Sequence, residues 1–256
     1  MLKIYYAIYK FILINPFKPC IFNHYKIFNS TKKNIMPTKY QIFKDNLAQS
    51  ASENKIELDS ITLIAASKYY GASQVKNMFE QGQVDFGENR LQDAIPKIDQ
   101  LKKLPLKWHF FGHIQTNKAK KIVEYFSIIH SLDSLKLAHS LNSHALDQNK
   151  ILEVFIQVNL AKEEKKSGFT EETLTLQFKE IDNLSNIKIQ GLMIITPYEI
   201  SPLKKLELFK NLRNLENKIN ILYNKKLKYL SMGMSDDWQE ALKEGATHLR
   251  IGRALY

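Results

Sequence analysis

Lys68 is the side chain in this sequence with the most chemistry to offer. It follows the apolar run Ile61-Thr-Leu-Ile-Ala-Ala66 and Ser67, so a buried strand there delivers its amine to the strand's C-terminal end. An amine that is desolvated, or held near other positive charge, loses its proton more readily and attacks aldehydes. A Schiff base with a pyridoxal cofactor is the commonest use of such an amine. The same position equally suits a lysine that runs its stem along apolar surface and keeps its charge in water.

The segment Ser231-Met-Gly-Met-Ser235 precedes a predicted helix. Gly233 permits close backbone approach. Free N–H groups at a helix start, with the Ser231 and Ser235 hydroxyls, can hold a phosphate. Gly252, after the last predicted strand, would add another N–H. The alternative is an ordinary serine cap, and the neighbouring Asp236 and Asp237 argue against an anion unless they face away or cap the following turn. Arg250 lies within that last strand, where a guanidinium needs a partner or a cavity. Facing a pyridine nitrogen, it would keep that nitrogen unprotonated and the ring a weak electron sink. The alternative is an ion pair with an acid of the surrounding wall.

Other constellations carry less. His109 and His113 flank Gly112 with no third ligand at useful spacing, so core or supporting roles suit them better than a metal. Ser67, Asp133 and His248 can be written as a triad, but no Gly-x-Ser-x-Gly surrounds a serine. HExxH, GxGxxG and GxxxxGK[ST] are all absent. The single cysteine, Cys20, excludes an internal disulfide and a four-cysteine metal site. Lys162–Lys166 reads as a solvated loop.

The elements that must position these residues alternate. Apolar runs near 61, 84, 108, 127, 151, 189, 229 and 248 read as strands. Helical patterns separate them: from about 40 to 55, then Ala72–Gln81, Asn89–Leu104 interrupted at Pro96, Lys118–Tyr125, Ser134–Leu146, Glu171–Leu184, Pro202–Asn217 with reach to Leu222, and Asp236–Glu244. Strand then helix, repeated in this way, predicts a (β/α)8 TIM barrel of the α/β class as a single domain over residues 37–256. A doubly wound open sheet is the competitor, but it commonly carries a Gly-rich first turn. In a barrel, chemistry collects in the loops after the strands, which is where Lys68, Ser231–Ser235 and Gly252 fall.

The chain has 256 residues, 44% of them hydrophobic, which excludes disorder and a disulfide-stapled miniprotein. The formal charge of +11 is uneven, because residues 1–35 hold six lysines and no acid. A nucleic-acid binder would carry its basic excess on the folded face, so no nucleic-acid partner is expected. Leu2–Ile14 is too short to cross a hydrocarbon core of about 20 residues and contains Lys3 and Lys10, so stable membrane insertion is not expected. Residues 1–36 read as a basic, aromatic-rich extension, and Met36 is an alternative start.

Ala66-Ser-Lys68, Phe86-Gly-Glu-Asn89, His109-Phe-Phe-Gly-His-Ile-Gln-Thr-Asn-Lys118, Ser131-Leu-Asp133, Gln157-Val-Asn159, Gly191-Leu-Met193, Leu230-Ser-Met-Gly-Met-Ser-Asp-Asp237 and Leu249-Arg-Ile-Gly252 occur in this order. Together they resemble the pyridoxal phosphate homeostasis protein family, a single-domain group related to the N-terminal barrel of alanine racemases. The resemblance implies pyridoxal 5'-phosphate bound as an aldimine to Lys68. It also implies Asn89 near the cofactor ring, Arg250 at the pyridine nitrogen, and Ser231, Ser235 and Gly252 around the phosphate. It implies a role in vitamin B6 homeostasis without established turnover, with apo forms of pyridoxal enzymes as recipients. A cytoplasmic monomer is expected, since the second domain through which alanine racemases pair has no counterpart here. Tyr69 departs from the family pattern, which has a small threonine; its ring either crowds the cofactor or points outward. The competing functions are a pyridoxal-dependent racemase or lyase, for which Tyr69 or His113 would have to supply a second base, and a plain interaction scaffold.

Overall fold

The computed structural model describes residues 36–161 and 167–256. The basic extension with Cys20, and the Lys162–Lys166 loop, lie outside the described residues.

A capped helix α1 (Lys39–Glu53) leads in, its Thr38 and Gln41 side chains each satisfying the other's backbone N–H. Then follow β1 (Thr62–Ala66), α2 (Ala72–Glu80), β2 (Asp85–Glu88), α3 (Leu91–Leu101), β3 (Lys107–Phe110), α4 (Ala119–Tyr125), β4 (Ile128–Leu132), α5 (Leu135–Asp147), β5 (Leu152–Gln157), α6 (Glu171–Asp182), β6 (Ile187–Met193), α7 (Pro202–Tyr223), β7 (Tyr229–Ser231), α8 (Trp238–Lys243) and β8 (His248–Ile251). The strands are parallel and close in chain order, β8 pairing back onto β1 with Ile64 opposite Arg250 and Ala65 opposite Ile251. This is the expected (β/α)8 barrel.

Three boundaries differ from the sequence reading. Strand β2 extends beyond the apolar run near 84 to take in Gly87 and Glu88. Helix α3 passes through Pro96 unbroken. Helix α7 runs to Tyr223 and is closed by Asn224 in the left-handed conformation, φ 49°.

Alternation along the strands divides the interior into two layers. Outward-facing Ala65, Phe86, Phe110, Val154, Ile156, Leu249 and Ile251 join the main apolar core under the helices. The residues between them, His109, Phe155 and Arg250, are buried outside that core, inside the barrel. Among the described residues no helix is long and apolar enough to cross a membrane.

The outer layer should carry most of the stability. Phe178 of α6 is fully buried, its ring 4.8 Å from that of Tyr223. Phe178→Ala is expected to cost about 3–5 kcal/mol, read from the urea unfolding midpoint.

Candidate functional site

The β1–β8 seam brings the main candidates together. Gly252 follows β8, and a Cβ built on it would lie 3.7 Å from the Ala66 Cβ, so the end of β8 sits beside the end of β1 and the turn that carries Lys68. That turn is closed by the Tyr70 N–H donating to the Ser67 carbonyl at 2.9 Å. Lys68 is half-buried, with its Nζ 5.0 Å from the centre of the Tyr69 ring. Among the described residues the amine makes no hydrogen bond or ion pair. Tyr69 itself is 79% exposed, so of its two readings the outward one holds.

The phosphate candidates divide. The Gly252 N–H donates to the Ser235 hydroxyl at 3.3 Å, placing the two side by side. Ser231 is elsewhere: its hydroxyl is fully buried, 2.7 Å from His130 Nδ1 and accepting from Arg250 Nη1 at 2.6 Å. The helix-start donors are also partly spent. Asp237 turns inward and accepts from the Met234 N–H at 2.6 Å and the Thr196 hydroxyl at 2.7 Å, whereas Asp236 faces solvent and pairs with Arg253 at 2.7 Å. Gly233, at φ 91°, makes this arrangement possible; a Cβ there would meet Ala241 at 2.7 Å and Leu249 at 2.9 Å.

Arg250 has no ion pair among the described residues. It donates instead to Ser231 and to the Ile194 carbonyl, at 2.6 and 2.8 Å. Burial lowers its pKa to about 10, against a raising contribution from Asp237, so it stays charged at neutral pH. A guanidinium has five N–H donors, and these two bonds leave others to offer. Asn89, just past β2, is held by its neighbour: a Cβ on Gly112 would fall 2.0 Å from the Asn89 carbonyl oxygen, so only glycine lets the two backbones meet.

Beneath Lys68 lies a group that the sequence reading did not single out. The Lys97 amine, from α3, donates to Glu88 Oε1 at 2.5 Å and to the Ser67 carbonyl at 2.7 Å, and the Ser67 hydroxyl also donates to Glu88 Oε1. Glu88 is fully buried, and its Oε2 has no hydrogen-bond partner among the described residues. The Tyr256 hydroxyl is likewise buried and unpartnered; burial, then the Glu88 charge, push its pKa well up. The Tyr256 ring stacks on Tyr70 at 3.6 Å. The paper triad is dispersed: Ser67 serves Glu88, Asp133 pairs with exposed His113 at 3.1 Å, and His248 faces the opposite end of the barrel.

The family model for the alanine racemase N-terminal domain matches residues 45–256. A pyridoxal phosphate homeostasis protein of Synechocystis is 40% identical over 198 residues, 77% of this chain and 91% of that one. Another, from Aquifex aeolicus, is 40% identical over 194 residues, covering 76% and 85%. The chain belongs to the pyridoxal phosphate homeostasis protein family. PipY of Synechococcus elongatus, solved with PLP bound, superposes on this family member with a TM-score of 0.74 at 36% identity, covering 82% of this chain and 99% of PipY. An alanine racemase of Clostridium difficile, at 18% identity and a TM-score of 0.65, shares the fold; the chain spans 56% of its length.

Two measurements check this account of the homeostasis-family chain. Lys97→Met strands the Glu88 carboxylate without its charge partner and should cost about 3–5 kcal/mol in urea unfolding. The barrel histidines set a pH dependence. Burial first, then the charges of His109, His248 and Arg250, hold the His130 pKa well below the usual imidazole value. Burial, then His109 and Arg250 against a raising Asp85, lowers His248 to about 3. The unfolded chain therefore takes up protons first as pH falls below about 6.5. Stability is complete above that value and declines as pH falls below it, the His248 contribution fading towards pH 3, by on the order of 1 kcal/mol per unit for that histidine. The urea midpoint should drop between pH 7 and pH 5; an unchanged midpoint would contradict the neutral, buried histidines.

Proposed function

We propose that this chain binds pyridoxal 5'-phosphate at the C-terminal mouth of the barrel and acts in vitamin B6 homeostasis, holding the cofactor as a cytoplasmic monomer rather than turning over a substrate. The observation that supports this is the adjacency of the β1 and β8 ends: the turn of Lys68, whose amine makes no hydrogen bond or ion pair among the described residues, follows the strand paired with that of Arg250 and lies beside the Ser235–Gly252 pair.

The residues fit the group. Nothing in the packing demands glycine at position 252, where a Cβ would meet only ordinary contacts at 3.7 and 3.8 Å, so its smallness leaves room for a ligand against the N–H. Ser235 and Gly252 would hold the phosphate, and Asn89 would stand near the ring. Arg250 would face the ring nitrogen and, being charged, keep it unprotonated. Ser231 would contribute by orienting Arg250. The Lys68 amine rests over Tyr69 with no hydrogen bond or ion pair among the described residues, so its flexible stem would let it reach the aldehyde and join it as a Schiff base. When bound, the cofactor supplies that aldehyde carbon and an electron-withdrawing ring. A cationic neighbour at the ring nitrogen weakens the electron withdrawal, which suits storage and delivery to apo forms of pyridoxal enzymes.

Protein supplied with pyridoxal 5'-phosphate should gain a visible absorbance band, and borohydride should fix the cofactor to the Lys68 peptide. Lys68→Ala should do neither; an unchanged band in that variant overturns the assignment. Gly252→Ala should keep its unfolding free energy within about 0.5 kcal/mol of the parent while binding the cofactor several-fold more weakly. Steady exchange of amino acid Cα protons in deuterated water, lost in Lys68→Ala, would replace the holding role by an enzymatic one.

A further inference from the structure

A hydrogen-bonded chain crosses the barrel from Arg250 to the opposite mouth. Arg250 Nη1 donates to Ser231 Oγ at 2.6 Å, Ser231 Oγ lies 2.7 Å from His130 Nδ1, His130 Nε2 lies 2.9 Å from His109 Nδ1, and His109 Nε2 lies 2.9 Å from Asp85 Oδ1. His130 on β4 reaches Ser231 on β7 without an adjacent pairing between those strands, so the contact runs through the interior. His109, His130, Ser231 and Arg250 are all buried; Asp85 is 21% exposed and lines a cavity of about 610 Å³ at the N-terminal end.

The two ends have fixed chemical roles. A guanidinium can only donate, and an ionised carboxylate can only accept. With neutral imidazoles, only one proton placement satisfies every link. His109 carries its proton on Nε2 and gives it to Asp85, so its Nδ1 accepts from His130 Nε2–H. His130 Nδ1 then accepts the Ser231 hydroxyl proton, which turns a Ser231 lone pair to Arg250. Adding a proton to His109 would reverse His130 and make Ser231 the target of two donors, leaving the serine's own O–H without an acceptor among the described residues. It would also bring positive charge towards Arg250 and His248, the charged and titratable groups besides His109 that face His130.

We propose that Asp85, His109 and His130 are positioning residues for Arg250: the carboxylate at the far mouth polarises a one-way hydrogen-bond chain that fixes Ser231 as an acceptor and so sets the plane in which the guanidinium offers its remaining N–H groups. His130 is itself kept in plane by the Phe155 ring, stacked at 4.4 Å and 8°. The chain's proton order does not depend on the cofactor; its effect on the cofactor rests on the reading of Arg250 given above.

Two-bond proton–nitrogen correlation spectra of imidazole-labelled protein, purified free of pyridoxal phosphate, at pH 8 read the chain directly. Both His109 and His130 should be single Nε2–H tautomers, and Asp85→Ala should turn His109 into a mixture. Nδ1–H or mixed tautomers at either histidine in the parent protein would overturn the proposal, and so would unchanged tautomers in Asp85→Ala. With pyridoxal 5'-phosphate added, Asp85→Ala and Ser231→Ala should displace the absorbance maximum and weaken binding roughly tenfold, the scale of one weakened bond to a charged donor. A parental spectrum and affinity in both variants would remove the link to Arg250. Should either variant fail to fold, the parent tautomers and the other variant decide. If the parent protein binds no pyridoxal phosphate, the cofactor reading falls and the tautomers alone judge the chain.

Discussion

A guanidinium inside a closed barrel is the constraint from which most of this interior follows. Arg250 is buried yet charged, its pKa depressed by burial only to about 10. A buried charge must be hydrogen-bonded or paired. No ion pair meets it among the described residues, so neutral acceptors do: the Ser231 hydroxyl and the Ile194 carbonyl. A serine that accepts must pass its own proton on, and the nearest taker is a histidine, which passes the same demand to the next. The barrel centre, which in this fold is usually packed with branched aliphatics, is here polar across several strands.

That polar interior is tolerable because stability resides in a separate layer. The outward faces of the strands meet the helices in a continuous apolar core, and the residues between them are released from that duty. Period-two alternation thus separates folding from chemistry within single strands. In β8, Leu249 and Ile251 face the helices while His248 and Arg250 face the interior.

Two lysines near the C-terminal mouth show the same division. Lys97 is locked between the Glu88 carboxylate and the Ser67 carbonyl, where it holds the end of β1 to the end of β2. Lys68 has no bond of that kind among the described residues, only the Tyr69 ring 5.0 Å from its amine. A buried ion pair of this sort adds little net stability over an apolar pair, but breaking it leaves an uncompensated charge, so it constrains geometry strongly. The turn that presents Lys68 therefore rests on a rigid base.

Much of this was legible along the chain. The eight apolar runs at regular spacing, with helical patterns between them, announced the barrel, because burial on a parallel sheet demands apolar runs and helix amphipathicity has its own period. The prominence of Lys68, Arg250, Ser235 and Gly252 also followed from their places at strand ends or within an apolar strand. What could not be read was which partners they would meet. His130 looked like one residue in the strand near 127, and Ser231 like half of a phosphate loop, because nothing in one dimension places β4 opposite β7. Glu88 and Lys97 were passed over for the same reason: the ion pair links a strand to the following helix through a contact that only the packed chain creates. Sequence by itself determined the class of fold and the types of chemistry available, since both depend on local periodicity and side-chain identity. Tertiary structure alone decided the direction of each hydrogen bond and which polar groups were already spent, since these depend on which strands face each other once the sheet is closed.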